Sequence, residues 1–286
     1  MPLSWKAQLT LNYRREGERT VAHDRHEGPL RVLQRLYPEG PAVCHHVVLH
    51  PPGGVVGGDE LHLHATLAAG SHALITTPGA TRFYRSDGAA ALQSVRLELA
   101  AGARLEWLPM EALAYSGCDA LSQVHMALAP GAEMIGWDVL ALGLPAAQQP
   151  FVAGSFSQHL ELPGCWLERG RVSAADSLLL KSDVGFGGHN VLGTAWFAAG
   201  QGLQSARREV LLDVARAVLL GASADGQEPH RLAATAGVTS PQTAVVVLRV
   251  LANSVEPVMA LLAQVRAAWR FAAWGLAAEP PRIWRT

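Results

Sequence analysis

The chain has 286 residues, 49% of them hydrophobic and 16% charged, with a formal net charge of −1. That composition can bury a sizeable core, excludes a disordered chain, and lacks the one-signed charge of a nucleic-acid binder. The length suits two ordinary domains or one large β architecture, and one domain over 1–286 is the expectation.

At the start, Trp5, Ala7, Leu9 and Leu11 alternate with polar residues, the period of a half-buried strand. Met1 to Thr20 carry Lys6, Arg14, Arg15 and Arg19 and no uninterrupted apolar run, so no signal peptide is expected. Cys44, Cys118 and Cys165 form no CxxC pair and suit a reducing compartment, which together predicts a cytoplasmic protein. Leu30 to Leu36 and Ala42 to His50 read as strands separated by Pro38-Glu39-Gly40-Pro41. The next segment, His50-Pro51-Pro52-Gly53-Gly54-Val55-Val56-Gly57-Gly58-Asp59, is compatible only with a loop.

Three segments then share one pattern of strand, glycine turn and strand, with turn glycines at Gly70, Gly102 and Gly131. A degenerate fourth copy runs from Leu160 through Gly164 to Trp166. Recurrence on this scale predicts a mainly β fold, a layered, solenoid-like stack of strands, with ordinary sandwich hairpins as the alternative. Helical periodicity comes late. Val210, Leu211, Val214 and Val218 mark one face of a helix over Ala206 to Leu220. Arg231 to Ala236 and Thr243 to Leu251 return to strand composition. Ser254 then caps a second C-terminal helix with Pro257 in its first turn, and Val258, Leu261, Leu262, Val265 and Trp269 form its apolar stripe to about Ala273. The charge-free stretch Leu232 to Leu248 is too broken and short to span a membrane.

Known chemistry-bearing motifs are missing. The glycine loop has no GxxxxGK[ST] pattern, and Lys6 and Lys181, the two lysines of the chain, lie far from it. No GxSxG, HExxH or CxxC occurs, which argues against an enzyme. Six histidines lie between His45 and His72: His45, His46, His50, His62, His64 and His72. His62 and His64 share one strand face, and with Asp59 upstream they offer imidazole and oxygen ligands for a transient divalent metal. Alternatively they fill polar positions of a solvated face, with Asp59 bonding its own turn. Cys44 points to the opposite face from His45 and reads as a small buried thiol. Glu106, Glu111, Asp119, Glu133 and Asp138 follow equivalent parts of successive repeats, which leaves a weak cation path or a wet edge.

The loop from His50 to Asp59 resembles the signature segment of the UreD family, also called UreH. The resemblance continues through Thr76-Thr77-Pro78-Gly79-Ala80-Thr81-Arg82-Phe83-Tyr84-Arg85-Ser86 and Leu105-Glu106-Trp107-Leu108-Pro109-Met110-Glu111 to the terminal Pro281-Arg282-Ile283-Trp284-Arg285-Thr286. The positions carrying it are His50, Pro51, Gly53, Gly54, Gly58, Asp59, Thr77, Pro78, Gly79, Arg82, Tyr84 and Glu111. Residues 142–154 depart from it, lacking the Gly-Arg and Gly-Glu pair of the family. The resemblance implies layered β-strands with a small helical part and a non-catalytic scaffold with no tightly bound cofactor. It also implies binding to apo-urease and, with UreF and the GTPase UreG, delivery of nickel(II) received from UreE. A cupin-like metal enzyme built on the histidines and an adaptor without a metal role are the competing readings.

Overall fold

A computed structural model describes residues 5–144, 147–221 and 228–285. Pro145 of the divergent segment and Thr286 of the terminal motif lie outside the described residues. The alternating amino-terminal residues form β1 (Lys6–Glu16), which turns back as β2 (Arg19–Glu27), a strand the sequence pattern did not reveal. β3 (Arg31–Leu36) and β4 (Val43–Leu49) follow as expected.

From there the chain coils. β5 (Glu60–Leu67), β8 (Ala91–Leu99), β11 (Asp119–Leu128) and β13 (Ser155–Leu162) stack in parallel beside β1 in one sheet. β4, β6 (His72–Thr76), β9 (Arg104–Leu108) and β12 (Glu133–Leu142) stack in parallel in a second sheet. Each coil thus contributes one strand to each sheet, and their inner faces form a continuous core that includes Leu63, Val95, Leu105 and Met134. Short strand β7 (Thr81–Phe83) pairs with β10 (Ala112–Ala114), and β10 pairs with the end of β12, making a narrow third wall.

The repeated glycines make the turns. Gly70, Gly102 and Gly131 all have φ between 69° and 81°, a left-handed conformation glycine adopts without steric cost. A side chain at Gly131 would sit 3.6 Å from the Gly102 nitrogen, so the turns also stack directly on one another. Gly164 makes a similar turn, but the following β14 (Trp166–Ser173) pairs antiparallel with β13 and stays in its sheet. The fourth copy is therefore a hairpin that ends the stack. Its return strand ends in α1 (Ser177–Lys181), a short helix without a buried stripe and hence without a periodic signal.

The second sheet is extended antiparallel by β15 (Val191–Ala199), β17 (Val245–Ala252) and β16 (Ala236–Gln242). Residues 233–235 form a 3-10 turn before β16, so the strand expected over Arg231 to Ala236 begins only at its last residue. α2 (Ser205–Leu220) and α3 (Val255–Trp274) cover the outer face of this sheet through a second apolar core with Leu74, Trp137 and Val246. α3 buries the expected stripe. α2 buries Leu211, Leu212, Ala215 and Leu219, while Val210 is exposed and Val214 and Val218 are only partly buried, so its inward face is rotated from the expected one. Ser254 occupies the N-cap of α3 but its side chain makes no capping bond. Among the described residues no helix is long and apolar enough to cross a membrane.

Candidate functional site

The loop between β4 and β5 is tied down at several points. The Val55 N–H donates to the Arg82 carbonyl and the Tyr84 N–H to the Val55 carbonyl, which adds the loop to the third wall. A side chain at Gly54 would meet the Tyr84 ring at 2.1 Å, so the close approach of loop and ring requires glycine there. Tyr84 in turn packs edge-on against Tyr115.

Behind this loop lies a cavity of about 240 Å³ between the two sheets. His50, Gly53 and Gly54 line one part of its mouth, Thr77, Pro78, Gly79 and Arg82 another, and Pro109 and Met110 a third. Three chain segments far apart in sequence, each bearing family-like motif residues, converge on one opening. The Thr77 hydroxyl joins two of them by donating to the Gly79 carbonyl and accepting from the Met110 N–H, and Thr81 donates its N–H to the Glu111 carbonyl. Burial holds the His50 imidazole below its ordinary pKa against the opposing pull of Asp59.

The cavity floor is polar. Gln93, Ser122 and Asp138 line it, and the Asp138 carboxylate accepts a hydrogen bond from Gln158 Nε2 at 2.5 Å. Burial pushes the Asp138 carboxyl up to about 6, with Gln158 opposing and Glu168 adding to the rise. A carboxylate kept in the interior is costly unless it is hydrogen-bonded, and Gln158 supplies that bond.

The expected ligand residues are distributed differently. Asp59 is buried, and its two carboxylate oxygens accept the Trp5 and Val56 N–H groups at 2.9 and 3.0 Å. His62 and His64 share the outer face of β5, as the alternation predicts. There His62 lies 3.2 Å from Glu60, and His64 lies 3.3 Å from Glu98. Among the described residues no three His, Cys, Asp or Glu side chains group closely enough to hold a metal ion. Cys44 is buried in the core, and burial raises its thiol pKa.

Stacking does not gather the repeat carboxylates. Asp119 accepts the Ser155 hydroxyl, Glu133 pairs with Arg207 and Trp274, and Asp138 faces the cavity. Burial raises the pKa of Glu111, which keeps one buried oxygen without a hydrogen bond. Glu106 is fully buried and meets Arg266 at 2.6 Å, Arg270 at 3.4 Å and His72 at 3.5 Å. Arg270 also pairs with Glu39, which bonds His45. This buried charge network fastens α3 to the second sheet. In the sequence Arg266 and Arg270 flank the apolar stripe of the helix, and Glu106 alternates with Leu105 and Trp107. The spacing of four between the two arginines, beside that stripe, was the available signal.

Residues 6–285 match the model of a family described as UreD urease accessory protein. Over 286 residues the chain is 59% identical to the urease accessory protein UreD of Leptothrix cholodnii, covering 99% of this chain and 100% of the relative. It is 57% identical over 282 residues to the proteins of the same name from Polaromonas sp. strain JS666 and Paracidovorax citrulli, covering 99% of each chain.

Proposed function

This chain belongs to the UreD urease accessory protein family, and on that premise we propose that it passes nickel(II) to apo-urease through the cavity behind its glycine loop. Its accessory role in urease maturation follows from the family. The finer reading is that it binds apo-urease and UreF, that UreG joins the complex and hydrolyses GTP, and that UreE supplies the metal. GTP chemistry falls to the partner, because this chain has no phosphate-binding loop.

The observation that carries the reading is the convergence of the motif segments on one cavity that holds a buried carboxylate. Nickel(II) is a borderline cation that accepts carboxylate, carbonyl and imidazole ligands. A single carboxylate with an amide beside it attracts such an ion without closing a coordination shell around it, so the ion can leave again. Asp59, His62 and His64 enter in different capacities. Asp59 holds the loop that walls the mouth, while His62 and His64, with half-exposed side chains beside Glu60 and Glu98, act as weak surface ligands.

Deleting the gene for this chain in a urease-producing cell tests the role. Urease should be expressed at its normal level but nickel-poor and inactive. Normal activity without added nickel would refute the proposal.

A further inference from the structure

Trp284 does not line the cavity, yet it is fastened to both of the other mouth segments. Trp284 donates its indole N–H to the Thr76 hydroxyl at 2.8 Å, and that hydroxyl donates to the Leu108 carbonyl at 2.6 Å. Thr76 is the last residue of β6 and Leu108 the last of β9, so one side chain clasps the two strands at the point where each enters a mouth loop. The Trp284 ring lies 5.4 Å from that of Trp137, whose own N–H donates to the Pro109 carbonyl. Pro109 lines the cavity on its other side.

The segment is itself anchored. Arg266 stands over the Trp284 ring and donates to the Glu279 carbonyl, while its Nε holds the buried Glu106. A run of aromatic and guanidinium contacts therefore leads from the middle of α3, through residues 279–284, to the backbone of both mouth loops.

We infer that this carboxyl-terminal segment is a strap that sets the position of the loops at Thr77–Arg82 and Pro109–Glu111, with Trp284 as its positioning residue. The Leu108 carbonyl accepts from the Thr76 hydroxyl and the Pro109 carbonyl from the Trp137 indole, and the strap backs both donors. Without it, the loops keep their mutual bonds through Thr77 and Thr81, but the Thr76 hydroxyl loses its indole donor and the Trp137 ring loses its packing partner. The consequence is a mouth of undefined width over an intact stack.

Hydrogen exchange followed by mass spectrometry on the full-length chain tests this directly. Trp284→Ala should speed exchange in peptides covering 76–82 and 108–112 by about tenfold or more, leaving β8 and β11 at wild-type rates. Trp284→Phe, which keeps the ring and loses the donor, and Thr76→Val, which removes the bridging hydroxyl, should each give a smaller rise in the same peptides. Should Trp284→Ala fail to fold, these two variants decide the matter. Unchanged exchange in both loops, or a rise spread evenly over the stack, would overturn the strap. A second readout rests on the proposed route for nickel. Trp284→Phe should raise the nickel concentration needed for half-maximal urease activation while sparing the plateau at saturating nickel. Faster loop exchange with an unmoved nickel dependence would uphold the strap and refute the mouth as the entry.

Discussion

Glu106→Gln removes one of two carboxylates that balance two buried guanidinium groups, and its cost follows from the structure by two routes. Glu106, Arg266 and Arg270 are all at most 2% exposed, and the other carboxylate, Glu39, already serves Arg270 and His45. Breaking a buried pair by removing one partner costs about 3–5 kcal/mol, because the remaining charge stays desolvated. Independently, burial pushes the Glu106 carboxyl up, but Arg266, His72 and Arg270 outweigh it and bring it from 4.5 down to about 2. At about 1.4 kcal/mol per pH unit, that depression is worth roughly 3 kcal/mol. The sign is that of a lowered acid: the stabilisation is complete above 4.5 and is lost as pH falls from 4.5 towards 2. Urea unfolding at pH 7 should show Glu106→Gln less stable by about 3 kcal/mol, a large part of a typical total of about 5–15. Replacing Glu106 and Arg266 together by Met leaves Glu39 with Arg270 and should recover most of the loss. A single-variant loss below about 1 kcal/mol would refute the view that this network holds α3 on the sheet.

Asp138→Asn should have the opposite sign. The Asp138 carboxyl is raised from 3.8 to about 6, so the folded chain binds its proton more tightly and loses stability as pH rises through that window. The amide should gain about 1–3 kcal/mol at pH 7 in urea unfolding and nothing below pH 3.8, and a less stable variant at pH 7 would contradict the placement. Asp59→Ala leaves the Trp5 and Val56 N–H groups without their acceptor and should cost about 1–3 kcal/mol, with urease activation falling in step with the folded fraction. Wild-type stability would show that the carboxylate does not hold the loop. The purified chain should self-associate and gain solubility from UreF, because Val184, Leu178, Val152 and Phe271 are each at least 70% exposed. Size exclusion showing a concentrated monomer indifferent to UreF would refute this.

The stack was legible because its turns demand glycine at a fixed place in every coil, and Gly70, Gly102 and Gly131 stand in the sequence at that spacing. The same glycine at Gly164 misled, since a left-handed turn serves a hairpin as well as a coil and only the pairing of β14 distinguishes them. β2 was hidden because it is an edge strand whose exposed residues do not alternate strictly. The motif segments could be read as loops, but their meeting at one cavity depends on stacking that brings residues 50, 79 and 109 together across three coils. Asp138 could be named but not placed. Its neighbours Trp137 and Val139 face the helices, and nothing in a run of apolar residues says which alternate ones look inward. The strap was hidden for a similar reason, since Trp284 acts through Thr76, a residue 208 positions earlier.

The nickel content of urease matured in cells whose only copy of this protein carries Asp138→Asn tests the central claim most directly. With the complex of chain, UreF and apo-urease confirmed intact, the account predicts urease at its normal level with several-fold less nickel per active site at limiting nickel, and a partial recovery when nickel is in excess. Full nickel content at limiting nickel would contradict it.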